Sequence, residues 1–227
     1  MRPKAIVFDV NETLSDMTPM SERFVEVGAG AHLGEIWFSS LLRDGFALAA
    51  SGDRESFGMI GADLLGRLLQ DEPLTRSVDD AVTHIMLGLT ELKLHLDVAE
   101  GVRALTGAGH NLITLSNGSA QLAEGLLERA GLRSHFDALL SVEDAALWKP
   151  ARQAYHYAAQ NRGIEPNEML LVAVHPWDTH GAAAAGLRTA WLNRSHSAYP
   201  SYFTRPDITI GNLGELAVEL GPAKDSA

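Results

Sequence analysis

Short apolar runs alternate with helical segments from Asp97 to about Leu220. The apolar runs are typical of buried strands, and the segments between them have helical spacing. Strands that alternate with helices form a parallel sheet that the helices cover. We therefore predict the α/β class, with a Rossmann-like parallel sheet core. The expected strands are 111–115, 136–142, 169–174, 189–192 and 208–210, and the expected helices are 98–108, a segment ending at 130, 151–161, 181–185 and 213–220.

Another apolar run, Ala5 to Phe8, lies near the amino terminus and ends directly in Asp9. It is predicted to be the first strand of the same sheet, buried on both faces. The carboxyl ends of parallel strands share the edge at which open α/β sheets bind ligands. A carboxylate there can be a nucleophile that forms a covalent intermediate. The alternative is that Asp9 only caps the following turn.

The segment from about Pro19 to Leu94 shows helical spacing and no convincing strand. Breaks near Gly28, Gly52 and Pro73 divide it into about four helices. Because it follows the first strand, it is expected to lie over the crevice as a helical cap inserted after the first strand. The predicted division is a core of residues 1–14 and 97–227 and a cap of residues 15–96.

Polar side chains follow three more of the predicted strands. Ser116 and Asn117 precede a helix start, where free backbone N–H groups suit an anion. Lys149 and Asp178 follow two other strands, and a lysine that reaches Asp9 would keep that carboxylate ionised. Asp178 could hold the lysine or assist an attacking water. Helix capping and solvent exposure are the ordinary alternatives for these residue types.

The net charge of −11 limits the partners of the chain. An acidic surface repels nucleic acid and anionic lipid, so neither is expected to bind. No apolar run approaches the length of about 18 residues that a membrane span needs. The chain has no cysteine, which excludes disulfides, thiolate metal sites and a thiol nucleophile. With no export signal either, a cytoplasmic location is expected.

Several short motifs follow one another from Val7 to about Leu220. They are Phe8-Asp9 with Thr13-Leu14, Leu115-Ser116-Asn117-Gly118-Ser119, Gly131-Leu132-Arg133, Phe136-Asp137, Leu139-Leu140-Ser141-Val142, Lys149-Pro150, Trp177-Asp178 and Trp191-Leu192-Asn193-Arg194. In this order they resemble the haloacid dehalogenase superfamily. Within it, the chain is most similar to the L-2-haloacid dehalogenases.

The resemblance implies a hydrolytic dehalogenase that acts on short 2-haloalkanoic acids without a metal or other cofactor. Asp9 would displace the halide with inversion, and water would then hydrolyse the ester on Asp9. Ser116 and Asn117 match the positions that bind the substrate carboxylate. Lys149 matches the residue that orients and balances the nucleophile. Relatives are often homodimers, which makes a homodimer a candidate assembly.

Other positions match supporting residues of the family. Thr13 matches a residue that supports the nucleophile loop, Tyr155 matches a tyrosine of the same network, and Asp178 matches the acid tied to the lysine and the hydrolytic water. Arg43 is assigned to the cap arginine that lies over the leaving halide. No flanking motif fixes its register, and the alternative is a solvated helix arginine.

Four positions depart from the family pattern. Asn11 and Glu12 replace an aromatic residue and a glycine, while Ala173 and His175 replace a serine and an asparagine. The changes alter the pocket wall, where Asn11 and Trp177 are candidate substrate contacts, and the water site. A neutral His175 could accept a proton from the attacking water. The alternative is a ring that only satisfies a neighbouring acid or the backbone.

Two other functions stay open. A phosphatase of the same superfamily needs a second acid where Asn11 stands and a metal-binding acid where Val174 stands, and neither residue can serve. A non-catalytic binder of a small carboxylate would fit the four departures. The retained Asp9, Lys149 and Asp178 argue against such a loss of activity.

Overall fold

The computed structural model describes residues 2–223, and six of the strands in this range form one parallel sheet. The strands are, in chain order, β1 (Ala5–Phe8), β2 (Ser15–Asp16), β3 (Lys93–Leu94), β4 (Leu112–Ser116), β5 (Phe136–Ser141), β6 (Met169–Ala173), β7 (Arg188–Leu192) and β8 (Ile208–Ile210). The order across the sheet is β5-β4-β1-β6-β7-β8, which places β1 between β4 and β6. Strands β2 and β3 pair separately and antiparallel.

The helices fall into two groups along the chain. They are α1 (Met20–Glu26), α2 (Leu33–Ser51), α3 (Phe57–Leu68) and α4 (Val78–Glu91), then α5 (Val98–Gly107), α6 (Ala120–Arg129), α7 (Arg152–Arg162), α8 (Pro176–Ala184) and α9 (Leu213–Leu220). Short 3-10 turns occupy Arg133–His135 and Pro166–Glu168. No helix between residues 2 and 223 combines the length and the apolar character needed to cross a bilayer. The cytoplasmic location stays a prediction.

Strand β1, which directly precedes the nucleophile candidate Asp9, is covered on both faces. Ala5 and Val7 belong to one apolar cluster, and Ile6 and Phe8 belong to a second cluster. Successive strand side chains point to opposite faces, so an uninterrupted apolar run suits a central parallel strand. The run ends at Phe8, which delivers Asp9 to the carboxyl edge of the sheet.

Helices α1–α4 form the cap that the sequence predicts. The chain leaves the sheet through β2 and returns through β3, where Ser15 pairs with Leu94. The cap rests on the core at Trp148, whose ring stacks on Phe57 with centroids 6.2 Å apart. A parallel-sheet core with a helical cap after the first strand is therefore confirmed, whereas the division at residues 15–96 stays a prediction.

The predicted limits of the six sheet strands agree with the observed limits to within one residue. The two-residue strands β2 and β3 lie where no strand was expected. The helix predicted over 181–185 begins five residues earlier, at Pro176. Proline at a first helical position has its φ angle fixed for the helix and needs no N–H partner, which explains the earlier start.

Candidate active site

The loop after β1 fixes the orientation of Asp9. Its backbone N–H donates to Val172 O at 3.1 Å, and its residue surface is 4% exposed. The Thr13 hydroxyl donates to Asp9 Oδ2 at 2.7 Å and accepts from Val174 N–H at 3.1 Å. Thr13 thus links Oδ2 of the Asp9 carboxylate to the loop that follows β6.

The second oxygen of Asp9 is held by Lys149. Lys149 Nζ lies 2.8 Å from Asp9 Oδ1 and 2.7 Å from Asp178 Oδ2. Both Lys149 and Asp178 are fully buried. Tyr155 completes the network by donating its hydroxyl to Asp178 Oδ1 at 2.6 Å. The structure therefore brings four predicted residues from β1, α7, α8 and the loop before α7 into one buried chain of contacts.

The charges of this chain set the protonation of Asp9. Burial favours the neutral acid, but the ammonium of Lys149 and the other groups around the carboxylate together outweigh it and hold the pKa of Asp9 below its ordinary value. His175 and the Thr13 hydroxyl act in the same direction. Burial also opposes the charge of Lys149, yet the two carboxylates raise its pKa. Asp9 is consequently ionised, as a nucleophile requires.

The pKa values of Asp178 and Tyr155 are raised, in contrast to the lowered pKa of Asp9. Burial raises the pKa of Asp178, the charge of Asp9 adds to that rise, and Lys149 offsets part of it. Burial raises the pKa of Tyr155 well above its ordinary value, so its hydroxyl stays a donor. Asp178 and Tyr155 therefore hold Lys149 in place, and Asp9 is the carboxylate kept reactive.

His175 lies beside Asp9, directly before α8. Its Nε2 is 3.8 Å from Asp9 Oδ2 and 3.3 Å from Asn11 O. The ring stacks on Trp177, at a centroid distance of 5.0 Å, and lies near the more tilted Phe38, at 6.5 Å. One imidazole nitrogen is therefore aimed toward the side of Asp9 that Thr13 contacts.

The start of α6 forms the end of the site that suits an anion. Ser116 Oγ accepts from Gly118 N–H at 2.9 Å, and Ser119 caps the helix by accepting from Leu122 N–H. A Cβ on Gly118 would lie 3.5 Å from Asn11 Nδ2, which puts the Asn11 amide against this turn. These residues surround the region where a carboxylate can meet backbone N–H groups.

The side chain of Asn117 is engaged with the backbone of Lys149. Its Nδ2 donates to Lys149 O at 3.2 Å, and its Oδ1 accepts from Lys149 N–H at 3.0 Å. Both ends of the amide therefore hold the backbone of the lysine. In this conformation Asn117 positions Lys149, and the predicted contact with substrate or halide stays a prediction.

Arg43 is not brought to the cluster. Its side chain is 68% exposed and donates to Asp44 at 2.8 Å. On α2 the cap-side cavity is lined by Glu35, Phe38, Ser39 and Leu42, and Phe46 contacts Trp177. Arg43 does not line this cavity, because its side chain is turned to Asp44 and to solvent. The assignment of Arg43 over the halide does not fit this placement.

Aromatic side chains close the site, and two of them were not predicted. The Trp177 ring lies 5.9 Å from Lys149 Nζ and contacts the edge of Phe46 at a centroid distance of 4.8 Å. Phe38 and Phe46 come from the cap. Their spacing of eight residues on one helix, with Leu42 between them, is a signal that could have identified this face. The rings exclude water from the ion pair and strengthen its electrostatics.

Two cavities meet at Glu12 and His175. One, of about 410 Å³, lies toward the cap and is lined by Phe38 and Leu42. The other, of about 330 Å³, lies toward the core and is lined by His95 and Arg194. Both volumes are in the range of small-molecule sites. Glu12 and His175 thus lie between the buried Asp9 and the two cavities.

Comparisons with known proteins agree with this geometry. A family model described as haloacid dehalogenase-like hydrolase matches residues 3–186. An (S)-2-haloacid dehalogenase of Pseudomonas sp. (strain YL) is 30% identical over 221 residues, which are 96% of this chain and 94% of the relative. One of Pseudomonas putida is 29% identical over 94% of this chain and 95% of its own length. The crystal structure of a dehalogenase, 27% identical, superposes with a TM-score of 0.89 over 97% of this chain and 98% of that one.

Proposed function

The chain belongs to the haloacid dehalogenase-like hydrolase family, and from that premise we propose that it hydrolyses the carbon–halogen bond of short 2-haloalkanoic acids. The products are a 2-hydroxy acid and halide, and the intermediate is an ester on Asp9. The observation that carries the proposal is the contact of the buried Lys149 ammonium with Asp9 Oδ1 at 2.8 Å. An ionised and oriented carboxylate is suited to covalent catalysis. The similarity to (S)-2-haloacid dehalogenases supports the substrate class.

In the first step, an oxygen of Asp9 attacks the carbon that bears the halogen. The new carbon–oxygen bond forms as the carbon–halogen bond breaks, and the electron pair leaves with the halide. The substrate carboxylate is assigned to the turn of Ser116 and Gly118, where N–H groups of a helix start favour an anion. Holding both reactants in line lowers the entropic cost of a bimolecular displacement.

In the second step, water attacks the carbonyl carbon of the Asp9 ester. The bond from that carbon to the ester oxygen breaks, and the oxygen leaves in the 2-hydroxy acid. We assign His175, in the tautomer with a free Nε2 lone pair, as the group that takes a proton from the water, because its Nε2 lies 3.8 Å from Asp9 Oδ2. The hydrogen bond from Nε2 to Asn11 O forms once the ring carries that proton, since a carbonyl oxygen only accepts. Lys149 stays between Asp9 and Asp178 and receives the regenerated carboxylate.

The purified protein is expected to release halide from 2-chloropropionate and 2-bromopropionate, with the fluoro compound completing the series. Halide release should persist after treatment with a chelator, since each role is assigned to a side chain of the chain itself. An ion-selective electrode measures the halide, and phosphate esters serve as the comparison substrates. Phosphate release that a chelator stops would point to a phosphatase, and neither activity would point to a carboxylate binder.

His175→Asn is expected to slow hydrolysis of the ester more than its formation, because asparagine can orient a water but cannot take its proton. General-base help is worth roughly a hundredfold to ten-thousandfold in rate. The ester on Asp9 should then accumulate, as rapid-quench mass spectrometry would show. A variant in which only ester formation slows would place His175 in the substrate pocket instead.

A further inference from the structure

Glu12 occupies an unusual position in the loop that follows the nucleophile. Its φ angle is +62°, in the left-handed region, which costs a non-glycine residue roughly 1–2 kcal/mol. Its backbone oxygen accepts from His95 Nε2 at 2.9 Å, so the loop is anchored in this conformation. Its side chain is 43% exposed, and Oε2 lies 3.5 Å from His175 Nε2. The strained backbone holds a carboxylate between the buried site and solvent.

The proposed reaction releases a proton at a buried position, and that proton has to reach solvent. Replacing a carbon–halogen bond by a carbon–hydroxyl bond with water yields one proton in each turnover, besides the halide and the 2-hydroxy acid. That proton forms next to Asp9, which is 4% exposed, and Lys149 and Asp178 are fully buried. A proton taken up by His175 must leave before the next hydrolysis, because an imidazolium cannot act as a base.

We propose that Glu12 is the proton relay of this site, a positioning residue that receives the proton from His175 Nε2 and releases it to solvent. The inference rests on the proposed function and extends it to a residue that the sequence comparison treats only as a departure. Glu12 acts through His175 and makes no contact with the reacting carbon in this assignment.

The step balances as follows. Water attacks the ester carbonyl carbon of Asp9 and transfers one proton to His175 Nε2, while its second proton is lost when the new acid group ionises beside Lys149. One of the two protons completes the hydroxyl of the departing 2-hydroxy acid. The other passes from Nε2 to Glu12 Oε2 across the 3.5 Å gap and then to solvent. The ring returns to its neutral form, and Asp9 returns to its carboxylate.

The surroundings of Glu12 suit a proton acceptor. The groups whose charge acts on its carboxylate are His175, Asp9 and, from α2, Glu35, while His95 contacts its backbone oxygen and Arg194 lines the core-side cavity with it. Burial raises the pKa of Glu12 above its ordinary value, the two carboxylates raise it further, and His175 opposes them. Asp178 lies on the far side of the ion pair, where both of its oxygens are already bonded by Lys149 and Tyr155. Glu12 also lines both cavities, so it has access to water on either side.

The test compares Glu12→Gln with Glu35→Gln, a control variant whose carboxylate lines the cap-side cavity. Rapid-quench mass spectrometry with excess substrate follows the Asp9 ester through the first and later turnovers at constant pH and ionic strength, while the concentration of imidazole is raised. In dilute buffer, Glu12→Gln should leave ester formation and the first hydrolysis within about twofold and should slow hydrolysis in later turnovers on the order of a hundredfold. Imidazole should restore the rate, because a small external base can carry the proton instead. Glu35→Gln and the wild type should not respond to imidazole.

Each other result overturns the relay. Hydrolysis by Glu12→Gln at the wild-type rate through later turnovers in dilute buffer would show that the proton leaves by another route. Slowing of both steps without rescue by imidazole would show that Glu12 only maintains the loop. Absence of halide release by the wild type would refute the proposed function itself, and that result is obtained before any variant is compared.

Discussion

Lys149→Met is expected to destabilise the protein by about 3–5 kcal/mol, because it leaves two buried carboxylates facing each other without their cation. The lysine is fully buried and lies 2.8 Å from Asp9 and 2.7 Å from Asp178. Methionine fills a similar volume but supplies no charge. Chemical denaturation at several pH values measures the loss. Lys4→Met is the matched control, since Lys4 forms an ion pair of 2.7 Å with Glu168 but is 62% exposed and should cost at most about 1 kcal/mol.

The free energy of unfolding is expected to depend on pH differently in the wild type and in Lys149→Met. In the wild type, the lowered pKa of Asp9 contributes stability above its ordinary value of 3.8, and that stability is lost as the pH falls through the folded value. The raised pKa of Lys149 contributes stability below its ordinary value of 10.5, and that stability is lost as the pH rises through the folded value. Without the lysine, burial raises the carboxyl pKa values, so the deficit of the variant should shrink on acidification.

The rate of ester formation in Lys149→Met should depend on pH for the same reason. In Lys149→Met a larger fraction of Asp9 is protonated at neutral pH, so alkylation should slow by about a hundredfold to a thousandfold and should accelerate as the pH rises. The wild-type rate should be flat over that range because Asp9 is already ionised. A variant with wild-type alkylation and stability would show that Lys149 does not balance Asp9.

The sheet was predictable because its strands are buried on both faces. An apolar run such as Leu112–Ser116 contrasts with the polar turns on either side, and this contrast fixes the strand ends to about one residue. Strand β3 has no such contrast, since it consists of Lys93 and Leu94 and exists because it pairs with β2. A two-residue strand is defined by its partner, which a linear pattern does not reveal.

The convergence of polar residues at one edge was predictable from topology alone. Parallel strands direct the residues that follow them to one edge of the sheet, where Lys149 reaches Asp9 from the loop between β5 and α7. The detailed use of each side chain was not predictable in this way. Both ends of the Asn117 amide bond the backbone of Lys149. This contact depends on the path of the loop between β5 and α7, which lies far along the chain from Asn117.

The cap residues show the same limit in a helix. On α2, Arg43 follows the cavity residues Glu35 and Ser39 at four-residue spacing, yet its side chain turns to Asp44 and solvent, which the sequence does not reveal. The apolar repeat of Phe38, Leu42 and Phe46 was the better guide to the face over the crevice, because a repeat averages over several turns whereas a single arginine does not. Cap contacts are therefore best read from a pattern of several side chains.

Asp9→Asn is expected to reduce halide release by about four orders of magnitude or more, because an amide cannot take the place of the nucleophile. The fold should persist, since Lys149 keeps its 2.7 Å contact with Asp178 and asparagine can still accept the hydrogen bond from Thr13. Matching circular dichroism spectra and a cooperative unfolding transition check that the variant is folded. Wild-type rates in this folded variant would exclude Asp9 as the nucleophile.

A single turnover of the wild type in ¹⁸O-labelled water tests the covalent step directly. If Asp9 forms the ester, water attacks the carbonyl carbon, so the label should enter the Asp9 carboxylate and the 2-hydroxy acid should leave with an unlabelled oxygen. The peptide that contains Asp178 is the internal control and should stay unlabelled, because its carboxylate is held by Lys149 and Tyr155 and forms no ester. Label in the 2-hydroxy acid and none in Asp9 would mean that water displaces the halide directly, with Asp9 serving as its base.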